Sequence, residues 1–494
     1  MNLRKLLAGV PLTGGCLSQE MEINSISYDT RTLTQGALFV ALSGDKTDGH
    51  QYIQEALDRG AAAVLCEKAP EGPGPWLITE DTRLALALVS ANWFGRPGDG
   101  MTLIAVTGTN GKTTTTSLLK ELLERAAGAK VGLIGTNRNM IGDQELPAHR
   151  TTPESWELQS LLRQMADEGC THVVMEASSH ALVQRRTAGL TFQVGVFTNL
   201  TQDHLDYHHT MEEYRSAKGL LFQQCRQAVL NLDDEAGRWY QKRVDCPVFT
   251  YSENRVEASL TAKNIRLFPS HVEFEAVIPG EISRVYLPIP GGFSIYNALA
   301  ALSAGLCLGL ELETMARAMP SVKGVKGRVE VVPVPRAYTV IIDYAHSPNA
   351  LENILTTARD FTAGRLICVF GCGGDRDRAK RPIMGAIAGE LADLTVVTSD
   401  NPRTEDPQAI IRQILEGMEE ASAYVEPDRR KAITWALSQG CPGDVIVLAG
   451  KGHETYQEIN GVQYPMDERE IVADFFKGAD ARQERTGKVP ADVV

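Results

Sequence analysis

Short, mostly apolar runs recur along the chain, each closed by glycine or polar residues and followed by a stretch of helical periodicity. Between residues 101 and 331 they fall at 103–106, 131–134, 172–175, 194–197 and 228–230. Runs this short, rich in valine and isoleucine, predict strands rather than helices. Strands alternating with helices predict βαβ units, hence an α/β fold with a largely parallel sheet. The alternation returns at 339–343, 366–370, 394–398 and 444–449. Each of these runs ends in a glycine-rich or polar loop, the edge at which an open α/β sheet binds its ligand. Before residue 98 the pattern is sparser: a β-like run at 37–42, a helix at 52–59 and a strand at 61–66, with Pro97-Gly-Asp-Gly100 predicting a hinge. A chain of 494 residues is too long for one core, and about 150 residues per domain predicts three. The boundaries read from the pattern are 1–98, 99–332 and 333–494.

Composition narrows the function classes. With 62 acidic against 49 basic residues the net charge is −13, which argues against non-specific attraction to nucleic acid or an anionic membrane. A polyanionic ligand must then be held by local devices such as glycine loops, selected cations and metal ions. The nine cysteines are scattered and contain no Cys-x-x-Cys pair, so they read as reduced thiols of a cytoplasmic protein. Pro11 interrupts the apolar start, so no signal peptide is expected. The longest apolar run, 298–310, is too short to span a bilayer, so no membrane insertion is expected either. A monomer is the default.

One segment carries explicit chemistry. The strand at 103–106 runs into Gly108-Thr109-Asn110-Gly111-Lys112-Thr113-Thr114. The two glycines let backbone N–H groups approach phosphate oxygens, Lys112 can neutralise the distal phosphates, and the Thr113 hydroxyl can sit on magnesium. A bare turn needs neither the lysine nor the threonine. The spacing is shorter than in the common phosphate loop, since Val106 stands where the first glycine usually falls. Other patterns exclude alternatives. His204, His208 and His209 lack a His-Glu-x-x-His frame or a nearby cysteine, so zinc is not expected and His208 with His209 read as a structural cluster. Ser178-Ser-His180 lacks the glycines of a nucleophile elbow. Gly371-Cys-Gly-Gly-Asp-Arg376 places an arginine where a dinucleotide fingerprint needs glycine.

The Gly-Thr-Asn-Gly-Lys-Thr loop and ten further motifs in order resemble the Mur ligases. These are Thr151-Thr-Pro-Glu-Ser155, Met175-Glu-Ala-Ser-Ser-His-Ala-Leu-Val-Gln184, Thr198-Asn-Leu-Thr-Gln-Asp-His-Leu-Asp206, Tyr214-Arg-Ser-Ala-Lys218, Gly291-Gly-Phe-Ser-Ile-Tyr-Asn297, Gly327-Arg-Val-Glu330, Asp343-Tyr-Ala-His-Ser-Pro348, Gly373-Gly-Asp-Arg-Asp377, Asp400-Asn-Pro-Arg403 and Gly450-Lys-Gly-His-Glu454. The resemblance implies a three-domain architecture: a UDP-sugar-binding N-terminal domain, a central phosphate-loop parallel-sheet domain and a Rossmann-like C-terminal domain that binds an amino acid. It also implies an ATP-dependent amide ligase that activates a carboxylate as an acyl phosphate. Two magnesium ions would assist: Thr113 and Glu176 would hold one, His204 and a carbamate on Lys218 formed from CO2 the other. Lys112, Glu176, His204 and Lys218 would carry catalysis.

Asp400-Asn401-Pro402-Arg403 resembles the members that add meso-2,6-diaminopimelate to UDP-N-acetylmuramoyl-L-alanyl-D-glutamate. The chemistry agrees, because the second carboxylate of diaminopimelate suits an arginine and L-lysine, the alternative substrate within the family, has nothing there. Arg376, Gly450 and Glu454 would complete that pocket, Glu454 meeting an ammonium. The resemblance further assigns Asn297, Arg328 and Asp343 to ATP, and Thr30, Thr151, Thr152, Ser178, Gln184 and Arg186 to the UDP-sugar. Thr30, Arg150 and Ser294 depart from the family's usual serine, asparagine and asparagine.

Overall fold

The computed structural model describes residues 1–15, 20–44, 47–71, 74–418 and 423–486, with only the backbone for 206 and 478–486. They form two compact units, Met1–Thr261 with Leu299–Met315, and Ala262–Ala298 with Ala316–Val494.

The first unit opens with four parallel strands in chain order: β1 (Ser25–Ser27), β2 (Ala37–Val40), β3 (Ala63–Cys66) and β4 (Trp76–Ile78). β2 and β3 are buried at every position, as strands covered on both faces must be. The helix Thr82–Trp93 follows, capped by the Asp81 carboxylate on the Leu84 N–H at 2.9 Å. Trp93 and Phe94 pack on Trp156 of the helix Ser155–Asp167, with centroids 6.1 and 4.7 Å apart. The expected hinge is instead a packed 3-10 turn with Pro97 and Gly98 buried. A Cβ on Gly98 would lie 3.0 Å from Leu190, so the close approach needs glycine.

The second sheet of this unit comprises β5 (Thr102–Thr107), β6 (Val131–Ile134), β7 (Asn139–Ile141), β8 (Gln144–Leu146), β9 (His172–Glu176), β10 (Val194–Phe197), β11 (Ala228–Asn231) and β12 (Val248–Ser252). Their order is β12-β11-β10-β5-β9-β6-β7-β8. The first six are parallel, as the alternating pattern predicts. β7 and β8 form an antiparallel edge the pattern does not announce, because the β8 side chains are largely exposed and carry no apolar run. β13 (Leu260–Leu267) pairs its first two residues with β12.

The second unit contains the antiparallel hairpin β14 (Val272–Ile278) and β15 (Glu281–Leu287). Its main sheet is formed by β16 (Glu330–Val332), β17 (Thr339–Asp343), β18 (Leu366–Phe370), β19 (Leu394–Val397), β20 (Ala423–Val425) and β21 (Val445–Ala449), in the order β16-β17-β21-β18-β19-β20. All are parallel except β16. Leu366, Cys368 and Phe370 of β18 face a core supplied by Leu351, Leu355, Met384 and Ile414, while Ile367 and Val369 face Ile433, Leu437 and Val472. Helices cover both faces, and this is why the strands read as unbroken apolar runs. A short hairpin, β22 (Tyr456–Ile459) and β23 (Val462–Pro465), precedes the helix Glu468–Thr486. Among the described residues no helix is long and apolar enough to cross a membrane.

Candidate active site

In the first unit the sequence-predicted residues gather where β5, β6, β9 and β10 end. Gly108 has φ 149°, and a Cβ there would lie 1.9 Å from the Thr198 hydroxyl. Gly111, at φ 83°, precedes the helix Lys112–Ala127, which has no side-chain cap. A helix start of this kind leaves its first backbone N–H groups without partners inside the helix, a suitable setting for an anion. The loop is braced from β10: Asn199 accepts the Thr109 N–H through its carbonyl at 2.8 Å and the Asn110 N–H through Oδ1 at 2.9 Å. Thr198 Oγ1 donates to the Asn110 carbonyl at 2.7 Å. Thr198 and Asn199 open the 198–206 motif, whose pattern gives no sign of this bracing role. Lys112 folds back on the loop, its Nζ donating to the carbonyls of Gly108 and Thr109 at 2.9 and 2.8 Å.

Lys218, on the helix Met211–Gly219, is 1% exposed. Its Nζ donates to the Gly108 carbonyl at 2.8 Å and lies 4.3 Å above the Tyr214 ring. Burial holds the amine well below the usual lysine range, the Lys112 charge pushes the same way, and only Asp203 opposes. Both effects favour the neutral amine over the ammonium. His204, at φ 52° and half-exposed, stands edge-on to His180 at 5.0 Å. His208 is buried, with Nε2 2.8 Å from the Ser179 hydroxyl and its ring stacked on Tyr214, which supports its structural reading. His209 is exposed and joins no such cluster.

Glu176 ends β9 beside Val106 of β5 and is 1% exposed. Its carboxylate accepts the Thr136 N–H and hydroxyl, each at 2.9 Å. The residues expected at the sugar form one network around it. Thr151 pairs with the Thr136 hydroxyl at 3.0 Å, and Thr152 donates to the Glu176 carbonyl at 2.8 Å. The Ser178 N–H donates to the Thr152 hydroxyl at 3.1 Å, and Arg186 reaches the Thr152 carbonyl at 2.9 Å and Gln184 Oε1 at 2.6 Å. Ser178 also caps the helix Ser179–Val183. Arg150, the departure from asparagine, shares Glu154 with Arg83 and Arg186. Thr30 is not part of this network; it lies buried at the start of the 3-10 turn Thr30–Thr32 that Asp29 caps, its carbonyl accepting from Arg59 at 3.1 Å.

In the second unit a cavity of about 260 Å³ opens at the ends of β17, β18, β19 and β21. Arg376, Asp400, Asn401, Arg403, Gly450 and Glu454 all line it, as expected of the amino-acid pocket. Pro402 does not. Tyr344, His346 and Lys380 line it as well; the first two lie in a quoted motif but received no role, and Lys380 had no signal beyond being one more surface lysine. Asp406, not Asp400, caps the next helix, so the Asp-Asn-Pro-Arg segment is no helix start. Glu454 Oε2 accepts from Asn401 at 2.9 Å and from the fully buried Lys451 at 2.8 Å, so its charge is already shared. Arg328 lies 5.0 Å over the Tyr344 ring, and Asp343 accepts the Val329 N–H at 2.8 Å, its carboxyl pushed up by burial. Those two are neighbours. Asn297 is buried in the helix Gly292–Cys307, away from them in sequence, and the Ser294 hydroxyl of that helix donates to the Pro290 carbonyl at 2.8 Å.

The loop carrying Arg376 is anchored by Arg381, fully buried, whose two Nη atoms grip both Glu405 oxygens at 3.0 and 2.9 Å. Glu405 in turn accepts the Asp375 N–H at 2.6 Å. The Arg381 fork holds the Glu405 carboxyl down at about 2, from an ordinary 4.5. A lowered folded value contributes stability that is complete above 4.5 and lost as pH falls towards 2. Acid unfolding followed by tryptophan fluorescence is expected to show that loss, and Glu405→Gln to flatten the stability profile across that window; an unchanged slope in the variant contradicts the assignment.

Known proteins share this arrangement from end to end. Residues 22–82 match the family description "Mur ligase family, catalytic domain", residues 106–305 "Mur ligase middle domain", and residues 327–452 "Mur ligase, glutamate ligase domain". A Clostridium botulinum protein named UDP-N-acetylmuramoyl-L-alanyl-D-glutamate--2,6-diaminopimelate ligase is 46% identical over 463 residues, 92% of this chain and 95% of that one. A Bacillus licheniformis protein of the same name is 42% identical over 484 residues, covering 96% and 98%. A solved structure bearing that name superposes with a TM-score of 0.75 at 33% identity, covering 97% and 99%. With the phosphate loop and the network around Glu176 inside one matched region, all but Glu454 of the cavity lining inside another, and relatives aligned along almost the whole length, the chain belongs to the Mur ligase family.

Proposed function

We propose that this chain is an ATP-dependent, ADP-forming ligase that joins meso-2,6-diaminopimelate to UDP-N-acetylmuramoyl-L-alanyl-D-glutamate, a step of cytoplasmic peptidoglycan precursor synthesis. The cavity carries the reading: Arg376, Arg403 and Lys380 line it together with Asp400 and Glu454. Cations and carboxylates in one small pocket suit an amino acid with charged groups of both signs at both ends better than L-lysine. The names of the relatives point the same way. We assign the UDP-sugar to 1–98 together with the Glu176 network, ATP to 99–332 and the amino acid to 333–494; a separate main sheet in each segment supports the division.

The glutamyl carboxylate attacks the γ-phosphorus of ATP, and ADP leaves. The amine then attacks the acyl carbon, its proton passing to the departing phosphate. Lys112 exchanges the carbonyls of Gly108 and Thr109 for phosphate oxygens, and the N–H groups at Gly111–Thr114 hold the same anion. The residues fit magnesium: Thr113 with Glu176 would hold one ion, and His204 with Lys218 the other. An ion of this kind takes one or two protein ligands plus phosphate and water. Bound there, the two ions would neutralise charge developing on the β and γ oxygens. The Lys218 amine adds to CO2 and releases one proton, leaving a carboxylate where an ammonium would repel a cation. Asn297, Arg328 and Asp343 would hold the rest of the nucleotide.

ADP release with wild-type protein tests the reading. It is expected to require the UDP-dipeptide and diaminopimelate together. Equal or faster release with lysine would select the lysine-adding alternative, and release independent of any amino acid would point to a nucleotide switch.

A further inference from the structure

The hairpin β22–β23 is clipped to the segment that carries Arg403, and the clip is built from both backbone and side chains. Arg403 has φ 49°, a left-handed conformation that a branched cationic residue adopts only where its surroundings over-determine it. Here they do. The Arg403 N–H donates to the Glu458 carbonyl at 3.1 Å, and the Asn460 N–H donates to the Arg403 carbonyl at 2.8 Å. Asn401 Oδ1 accepts the Glu458 N–H at 2.9 Å, while Gln457 Nε2 donates to the Asp400 carbonyl at 2.6 Å and to the Ser399 hydroxyl at 2.9 Å. On the side chain, Arg403 Nε donates to Glu458 Oε2 at 3.1 Å and Nη1 to the Gly374 carbonyl at 2.8 Å. Two of the three guanidinium nitrogens are thus held, and the plane of the fork is set before any ligand arrives.

We propose that Glu458 is a specificity-determining positioning residue: through the β22 clip it fixes the Arg403 guanidinium so that Nη2 is presented to the far carboxylate of the incoming amino acid. Glu458 does not line the cavity, so it acts through Arg403 rather than on the substrate. It has a second effect. The arginine of the empty pocket already has a carboxylate beside it, at side-chain exposures of 20% and 28%. An amino acid without the second carboxylate therefore leaves a partly compensated cation, not a bare one, and discrimination comes from orientation as much as from charge. Preorganisation of this kind lowers the cost of ordering the side chain at the moment of binding.

The inference rests on the diaminopimelate reading, and its test separates the two. Glu458→Ala and Glu458→Gln are compared with wild type in steady-state ADP release, varying each substrate in turn. Loss of a charge-assisted contact of this exposure is expected to raise the diaminopimelate KM about 10-fold in Glu458→Ala. Glu458→Gln keeps an acceptor for Nε and is expected to recover most of that loss. The KM values for ATP and UDP-dipeptide, and kcat, are expected to stay within about twofold, because neither the phosphate loop nor the reacting amine is touched. An unchanged diaminopimelate KM in Glu458→Ala overturns the inference while leaving the reaction intact. So does a parallel rise in all three KM values, which marks general damage, or a Glu458→Gln as impaired as Glu458→Ala. A wild-type enzyme that prefers lysine overturns the substrate reading, and this inference falls with it.

Discussion

Lys218→Ala is expected to reduce turnover by roughly 10³-fold or more, the loss that follows if the proposed Lys218 carbamate is an anionic metal ligand in phosphoryl transfer. The reason lies in what surrounds the side chain. Lys218 is buried, its Nζ faces the Gly108 carbonyl, and the Lys112 charge opposes an ammonium. Burial and the Lys112 charge both favour the neutral amine, the form that adds to CO2. Truncation leaves the Gly108 carbonyl its contact from Lys112, so the loop should survive and circular dichroism should match wild type. Millimolar formate or acetate is expected to restore part of the activity by supplying a free carboxylate in the vacated space. ¹³C-bicarbonate labelling of wild type should give a carbamate resonance that the variant lacks. Turnover within tenfold of wild type, with no labelled carbamate, would sink the role.

Arg403→Ala is expected to raise the diaminopimelate KM by about 10- to 150-fold, the equivalent of roughly 1.5–3 kcal/mol for a charge-assisted hydrogen bond. Two unpaired, desolvated arginines would predict more. Arg403 is paired with Glu458, however, and Arg376 is exposed, its Nη1 3.4 Å from the Asp375 carbonyl. The variant should handle lysine as poorly or as well as wild type does, because lysine has no group that Arg403 could hold. ATP affinity should be unaltered. Discrimination between the two amino acids, measured as the ratio of kcat/KM, is therefore expected to collapse in Arg403→Ala; a ratio that persists would place recognition of the second carboxylate elsewhere, with Arg376 and Lys380 the remaining cations of the cavity.

Much of this molecule is legible along the chain because the governing forces are local there. A strand buried on both faces is apolar along most of its length, so 131–134, 194–197, 339–343 and 366–370 are strands at the residues their pattern predicts. A phosphate loop needs glycine, lysine and threonine in one order within a few residues, so it announces itself in one segment. Exposed strands obey no such constraint. β8 and the hairpin β22–β23 carry charged or polar side chains at many positions, and the pattern is silent about them.

The sequence by itself determined the α/β class and the family, and six of the seven residues it groups in one expected pocket line a single cavity. Only the tertiary structure decided what those residues meet: Lys218 against the carbonyl of a glycine 110 positions away, Arg403 against a glutamate 55 positions on, Glu176 tied to Thr136 across 40. It also decided that Thr30 stands apart from the Glu176 network, that the expected hinge is a packed turn, and that Glu454 already shares its charge with Lys451. Pairings of this kind are set by how strands are ordered in a sheet, and strand order follows from which faces can be buried together rather than from any residue's immediate neighbours.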